Sequence, residues 1–389
     1  MAPALIVLLI ATAASLHAWL EPVRWSDPDS LYYQAKTLSF RGEDEDRALH
    51  RAFRSPIANE ILAAERAAIR ADPKVEPAFT DPAWVDYSTR FFERRVFVSL
   101  AAAAIYPVTG LRSVLTVSLI GYLLLSLGLY ALLRQRFAPA TSVVVASVCV
   151  LAPPVRDASF VPMTDSWGLL LETCALLAAV LTFDRGMRWL AAWIAVLVVL
   201  SVTRDNSVVP LVAVVCLCIH QRDRRSALLL GSGIAAILPA VLSLGNTSIR
   251  ENLAFAFSSF SPPTDDSWTY VLHYYPINIR RLIEADLDYG TNLGAEAPLW
   301  FLGVALAFAG IVLLVRRLRE ADPYFRLATY ALLGAAIYVG LFGRDSGFRQ
   351  EIAFIPPVAV ALAMVGEAGW RRFRAGDDAI PMTRSEQLP

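Results

Sequence analysis

Long apolar segments recur from one end of this chain to the other, and a water-soluble core has no use for so many. They lie near 3–20, 113–133, 139–155, 166–183, 189–203, 207–219, 226–244, 299–315, 325–342 and 351–368. Most approach the ~20 residues a helix needs to cross ~30 Å of hydrocarbon. Inside hydrocarbon the backbone must satisfy its own N–H and C=O groups, so runs of this length cross as helices. Composition agrees. Of 389 residues, 56% are hydrophobic and 18% charged, with a mean hydropathy of +0.49, whereas a soluble domain is about one quarter charged. The sequence therefore predicts an all-α fold, a polytopic transmembrane helical bundle of about ten spans. The formal net charge is zero, which gives no electrostatic drive toward nucleic acid.

Arginine placement orients the bundle. The connections after spans two, four, six, eight and ten carry Arg134 and Arg136, Arg185 and Arg188, Arg222, Arg224 and Arg225, Arg316, Arg317 and Arg319, and Arg371, Arg372 and Arg374. All face the cytoplasm, as the positive-inside rule requires, if the further apolar stretch 96–110 does not cross. That stretch, closed by Pro107 and Gly110, is read as an amphipathic or re-entrant segment at the outer face. The apolar start "MAPALIVLLIATAASLHAWL" lacks a basic leader region and is read as an uncleaved first span. The expected organisation is one membrane domain over 1–370, with outer loops at 21–112 and 245–298 and a cytoplasmic tail at 371–389. Arginine almost displaces lysine, which occurs only as Lys36 and Lys74; that composition points to a GC-rich bacterial genome and so to the inner (plasma) membrane.

The outer side holds most of the polar chain. Residues 46–71 have helical composition, followed by Asp-Pro and Glu-Pro punctuation at 72–73, 76–77 and 81–82. The later loop carries "TYVLHYYPINIRRLIEADL", expected as a helix interrupted near Pro276. No internal repeat and no nucleotide-binding glycine loop is found. Nucleotide sugars and ATP are absent outside the membrane, so group transfer there needs an activated donor carried by lipid. Cys149, Cys174, Cys216 and Cys218 all sit in apolar segments without zinc or disulfide spacing and are read as buried, inert thiols.

Several charged groups stand at expected outer span ends. Asp27 and Asp29 follow the first span in "WSDPDSLYY"; either takes a proton from an attacking hydroxyl, or Asp27 caps a helix that Pro28 begins. Asp165 in "VPMTDSW" opens the fourth span, where it or Thr164 also fits a helix cap. Arg204 in "TRDNS" joins two short apolar segments, placing its turn below the outer surface, where it needs an anionic ligand or Asp205 as partner. Arg344 and Arg349 in "FGRDSGFRQEIAFIPP" face the same choice of phosphate clamp or neutralised loop, and Arg280 and Arg281 are further candidates. Glu93 lies among arginines in "RFFERR". A divalent cation would have only the Asp27-x-Asp29 pair, or Glu93 with the distant His273, to hold it; no metal and no cofactor is expected.

The segment "PDSLYY" at Pro28–Tyr33 after a first span resembles the opening of the first outer loop in the GT-C superfamily of membrane glycosyltransferases, which includes protein O-mannosyltransferases and the transferase that adds aminoarabinose to lipid A. "FFERRVFVSLAAAAIYPVTGL" is similar to that family's charged motif and juxtamembrane helix, "VPMTD" to its second outer loop, and "FRQEIAFIPP" to its closing arginine-proline pattern. Ser30 stands where Glu is frequent, Arg94-Arg95 replaces a Lys-Pro or His-Pro, and no large soluble C-terminal domain follows, which argues against the oligosaccharyltransferase branch. The resemblance implies a GT-C-like bundle with a long first outer loop of juxtamembrane helices. It implies a polyprenyl-phosphate sugar donor, an envelope glycan, lipid or protein acceptor, and transfer with inversion on the periplasmic face. Asp29 is the implied base, with Asp27 and Asp165 as further acids. Arg204, Arg344, Arg349, Arg280 and Arg281 are the implied phosphate ligands, and Tyr32, Tyr33 and Glu93 line the pocket. The rival readings are a lipid-linked substrate transporter or flippase, an envelope polysaccharide polymerase or ligase, and a non-enzymatic scaffold.

Overall fold

The computed structural model describes residues 2–20, 28–54, 81–243, 248–258, 263–343 and 349–377. Among these the chain forms α-helices joined by short turns and no β-strand. The first outer region contributes α2 (Pro28–Ser39), α3 (Glu45–Arg54), α4 (Pro82–Thr89) and α5 (Phe97–Thr109), after α1 (Ala2–Leu20). The body of the bundle follows as α6 (Ser113–Leu133), α7 (Pro139–Leu151), α8 (Pro153–Ser159), α9 (Asp165–Arg185), α10 (Trp189–Ser201), α11 (Val208–Gln221) and α12 (Arg224–Ser243). Then come α13 (Ile249–Phe257), α14 (Trp268–Asn292), α15 (Ala297–Arg316), α16 (Pro323–Phe342) and α17 (Ile355–Asp377).

Seven of these helical stretches are long and apolar enough to cross a membrane, or eight if α7 and α8, bent by 60° at their junction, count as one span. The expected figure of about ten includes α10 and α11, of 13 and 14 residues, each rising only ~20 Å. The outward faces explain why this is a membrane protein. On α15, Leu299, Phe301, Leu302 and Phe308 are exposed, and α1 and α12 show Leu9, Leu16, Leu238 and Leu242 in the same way. Such belts are stable against lipid and not against water. In contrast α9 is the central helix: 78% of its apolar window is buried, against 11% for α15.

Close helix approach rests on small residues. A Cβ on Gly334 of α16 would meet the Val209 carbonyl oxygen of α11 at 2.5 Å, and one on Gly310 of α15 would meet the Ala361 carbonyl of α17 at 2.3 Å. Only glycine admits backbone at that distance, which is how helices gain packing where lipid removes the hydrophobic drive between them. At the arginine-rich end, Arg136 donates to both Asp184 (2.8 and 2.9 Å) and Asp322 (2.7 and 3.0 Å), tying the ends of α6, α9 and α16 together.

The stretch 96–110 does not continue α6 as one rod. Phe97 stacks edge-on against Trp167 at 4.9 Å while the Trp167 indole donates to the Val117 carbonyl at 2.7 Å. Positions 97 and 117 would stand ~30 Å apart on a straight helix, so the chain folds back at Gly110, whose φ is +57°. A second hydrophobic cluster of Leu31, Tyr33, Phe91, Phe92, Val98, Ala102 and Val114 fixes α2, α5 and the start of α6 as a cap on the bundle. One local expectation is revised. Pro276 does not interrupt its helix: α14 runs unbroken from Trp268 to Asn292, because one lost backbone bond is outweighed by anchors on the next turns, Tyr275 Oη to the Gly340 carbonyl (2.8 Å) and Asn278 Nδ2 to the Gly343 carbonyl (3.3 Å). Of the helix expected at 46–71, the described part is helical within α3 (Glu45–Arg54) and residues 55–71 lie outside the described residues; Asp81-Pro82 opens α4, with Asp81 accepting from the Ala83 N–H at 2.9 Å.

Candidate functional site

Charged groups gather at the end of the bundle where α9 begins. Asp165 opens α9 with its side chain fully buried, and it pairs with Arg204, whose side chain is 3% exposed. Arg204 uses all three guanidinium nitrogens: the other two donate to Tyr338 Oη (3.2 Å) and Gln350 Oε1 (2.9 Å), and Tyr338 itself donates to Gln350 at 2.8 Å. Asp165 also accepts from Arg349 Nε at 3.2 Å, and Arg349 reaches Asp29 Oδ2 with its Nη2 at 2.8 Å. One guanidinium thus bridges a buried carboxylate to an accessible one, for Asp29 is 21% and Arg349 15% exposed.

A second group lies beside the first. Asp205, next to Arg204 in the α10–α11 turn, pairs with Arg94 through one oxygen and with Arg95 at 3.0 Å through the other. Arg95 also donates to Tyr33 Oη at 3.4 Å, and Tyr33 is hydrogen-bonded to Thr164 Oγ1 at 3.1 Å. The ion-paired set therefore carries four guanidinium groups (Arg94, Arg95, Arg204 and Arg349) and three carboxylates (Asp29, Asp165 and Asp205). Deeper in, Asn206 donates to Glu172 Oε2 at 2.9 Å. Glu351, beside Gln350, is buried with no hydrogen bond to either carboxylate oxygen. Lys36 donates to the Phe92 carbonyl at 3.3 Å and to that of Glu93; its burial holds the ammonium below its ordinary pKa, against the opposing pull of Glu45 and Glu93.

Local sequence explains how each group arrives. Pro28 begins α2, which places Asp29 in its first turn and, one turn on, Tyr33 on the same flank. The α10–α11 pair is too short to carry its turn to the surface, so Arg204 and Asp205 are held inside the protein. Gly168, three residues after Asp165, makes room for Arg204: a Cβ there would lie 2.8 Å from Arg204 Cδ. Gly168→Ala is expected to displace the pinned arginine at a cost of about 1–3 kcal/mol, as overpacking does, and to show as a lower unfolding temperature in mild detergent.

Asp29, Tyr33, Asp165, Arg204 and Arg349 thus come together. Other sequence candidates stand elsewhere. Arg280 is on the outer flank of α14, its side chain 80% exposed and paired with Glu284 at 2.7 Å; Arg281 is exposed beside it. Docking of Tyr275, Asn278 and Leu282 against the bundle turns that flank away. Tyr32 stacks on Phe92 at 4.6 Å and donates to the Val85 carbonyl at 3.1 Å, and burial raises its pKa; it belongs to the cap. Glu93 presents an exposed side chain. His273 lies edge-on to Tyr274. Asp27 and Arg344 lie outside the described residues. No group of three or more His, Cys, Asp or Glu suited to a metal occurs among the described residues.

The helix-cap reading of 164–165 is also revised. Thr164 occupies the cap position without a capping bond and turns its hydroxyl to Tyr33, while Asp165 turns to the arginines. Nor does Arg204 pair with its neighbour Asp205. Adjacent residues point different ways, so each finds a partner far along the chain. Compared with known proteins, the chain matches no family model and no curated protein. The chain is a multi-pass, all-α membrane protein with a buried charged network at one end of its described bundle. Sequence reading missed Arg94 and Arg95 as members, along with Gln350 and Tyr338. The doubled arginine ahead of the α5 segment was the available signal for the first two; nothing local marks the others.

Proposed function

We propose that the chain is a membrane glycosyltransferase of the GT-C type, moving a sugar from a polyprenyl-phosphate donor to an acceptor hydroxyl at the outer face of the plasma membrane. The observation that carries this reading is the bridge Asp29–Arg349–Asp165: a partly exposed carboxylate and a partly exposed guanidinium stand side by side, held by a buried acid. A proton acceptor and a phosphate ligand side by side suit a displacement at an anomeric carbon whose leaving group is a phosphate.

In this reading Asp29 accepts the proton of the acceptor hydroxyl as its oxygen bonds to the anomeric carbon. The bond from that carbon to the phosphate oxygen breaks, the electron pair leaves with the polyprenyl phosphate, and the configuration inverts. Arg349, with Arg94 and Arg95, stabilises the departing phosphate. Arg204, whose donors are taken up internally, positions Asp165 and Gln350 instead of touching the donor. Tyr33 fixes Arg95. The donor's sugar–phosphate bond lies at headgroup depth, which is why the acid belongs at the rim of the bundle. The side assignment follows the arginine asymmetry, with the α17 end in the cytoplasm.

Comparison of envelope glycans from cells with and without the gene tests this. The expected result is loss of one sugar substituent together with accumulation of its polyprenyl-phosphate donor in the outer leaflet. A transporter reading draws on the short α10–α11 pair with its intramembrane charges; it predicts that the lipid-linked substrate accumulates in the inner leaflet, and that result overturns the transferase.

A further inference from the structure

A cavity lies at the opposite end of α9. Asp165 and Asp184 stand near the two ends of that helix, ~28 Å apart at helical rise, and Asp184 is held by Arg136. Arg136 lines a cavity of about 470 Å³ together with Arg316, Arg317, Leu313, Phe325 and Met364, a volume in the range of small-molecule sites. The charges around it are unequally engaged. Arg136 is saturated by Asp184 and Asp322. Arg317 pairs with Glu320 at 2.6 Å and lies over the Phe325 ring at 5.3 Å. Glu367, the other acid in the lining, accepts from the Ala138 N–H at 2.9 Å. The Arg316 side chain makes no hydrogen bond or ion pair among the described residues.

The surface leading to this cavity is apolar. Phe308, Val312 and Val315 of α15 are exposed, and their spacing places them on one flank with Arg316 at its end. An aliphatic chain laid along that flank ends at a free guanidinium over a cavity with an arginine-rich rim. Apolar tail and anionic head, in that order and at that spacing, are the two halves of a phospholipid, and the arginine-rich end of a bundle is where anionic lipid is attracted.

We infer that the cavity between the ends of α6, α15, α16 and α17 binds the phosphodiester headgroup of an anionic membrane phospholipid, with Arg316 as its principal ligand and the exposed α15 flank as the track for its acyl chains.

Native mass spectrometry of the full chain in mild detergent, with added dioleoylphosphatidylglycerol or dioleoylphosphatidylcholine, tests this. The expected result is retention of phosphatidylglycerol over phosphatidylcholine, with Arg316→Ala weakening retention about tenfold through loss of a charge-assisted bond and Arg316→Lys restoring part of it. Arg316 is exposed and unpartnered, so Arg316→Ala is expected to unfold at the wild-type temperature in lipid-free detergent; only variants that do so are compared. Equal retention by wild type and Arg316→Ala, or equal retention of the two lipids, overturns the proposal. Displacement of phosphatidylglycerol by equimolar inorganic phosphate also overturns it, because the site is then one for a free anion.

Discussion

Replacing Asp29 by Asn is expected to lower sugar transfer by about 10²–10⁴-fold, the range a positioned general base contributes, while the protein remains folded. The two halves of that expectation have separate causes. Asparagine cannot take the acceptor's proton, so the chemical step slows whatever the donor affinity. Yet Asp29 is one-fifth exposed, and asparagine keeps its size and an amide oxygen that can still accept from Arg349. Arg349 keeps its second partner, Asp165. The variant should therefore express, unfold near the wild-type temperature and yield the altered glycan profile of a gene deletion. Unchanged product from normally expressed Asp29→Asn removes Asp29 as the base.

Breaking the pair beneath it has the opposite signature. Arg204→Met leaves Asp165 fully buried with Arg349 as its remaining ion-pair partner, and removing one member of a buried pair costs about 3–5 kcal/mol. Asp165→Leu alone strands Arg204 and is expected to cost as much. The double variant Asp165→Leu, Arg204→Met removes both charges, and apolar replacement of a whole buried pair is close to neutral; Gln350 and Tyr338 still bond to each other. Denaturation in mild detergent should thus show two strongly destabilised single variants and a double variant near wild type. The double variant nevertheless lacks transfer activity, because Arg349 has lost the acid that holds it. Additive destabilisation in the double variant contradicts the pairing.

These contrasts mirror what was readable from sequence. Apolar runs and arginine asymmetry are properties of single segments, so the multi-span all-α class followed directly. Charged residues at segment ends also marked Asp29, Asp165, Arg204 and Arg349, since any such residue must find a polar partner there. Which partner is a long-range matter. Arg204 joins Asp165, Gln350 and Tyr338 across 39, 146 and 134 residues, and nothing local distinguishes them from Asp205 next door. Arg280 shows the converse. Its own turn looks basic and available, but the docking of Tyr275 and Asn278 decides which flank of α14 meets the bundle. The length of α10 and α11 was legible too, and with it the depth of their turn.

In the proposed function the cluster of Asp29, Arg349, Arg94 and Arg95 grips a lipid-carried phosphate. Retention of undecaprenyl phosphate by the purified full chain, followed by native mass spectrometry, tests it without knowing the sugar. The account predicts saturable retention by wild type and by Asp29→Asn, and retention weakened at least about tenfold in Arg349→Met, which loses a charge-assisted contact. Retention by Arg349→Met equal to wild type, or none by wild type, contradicts it.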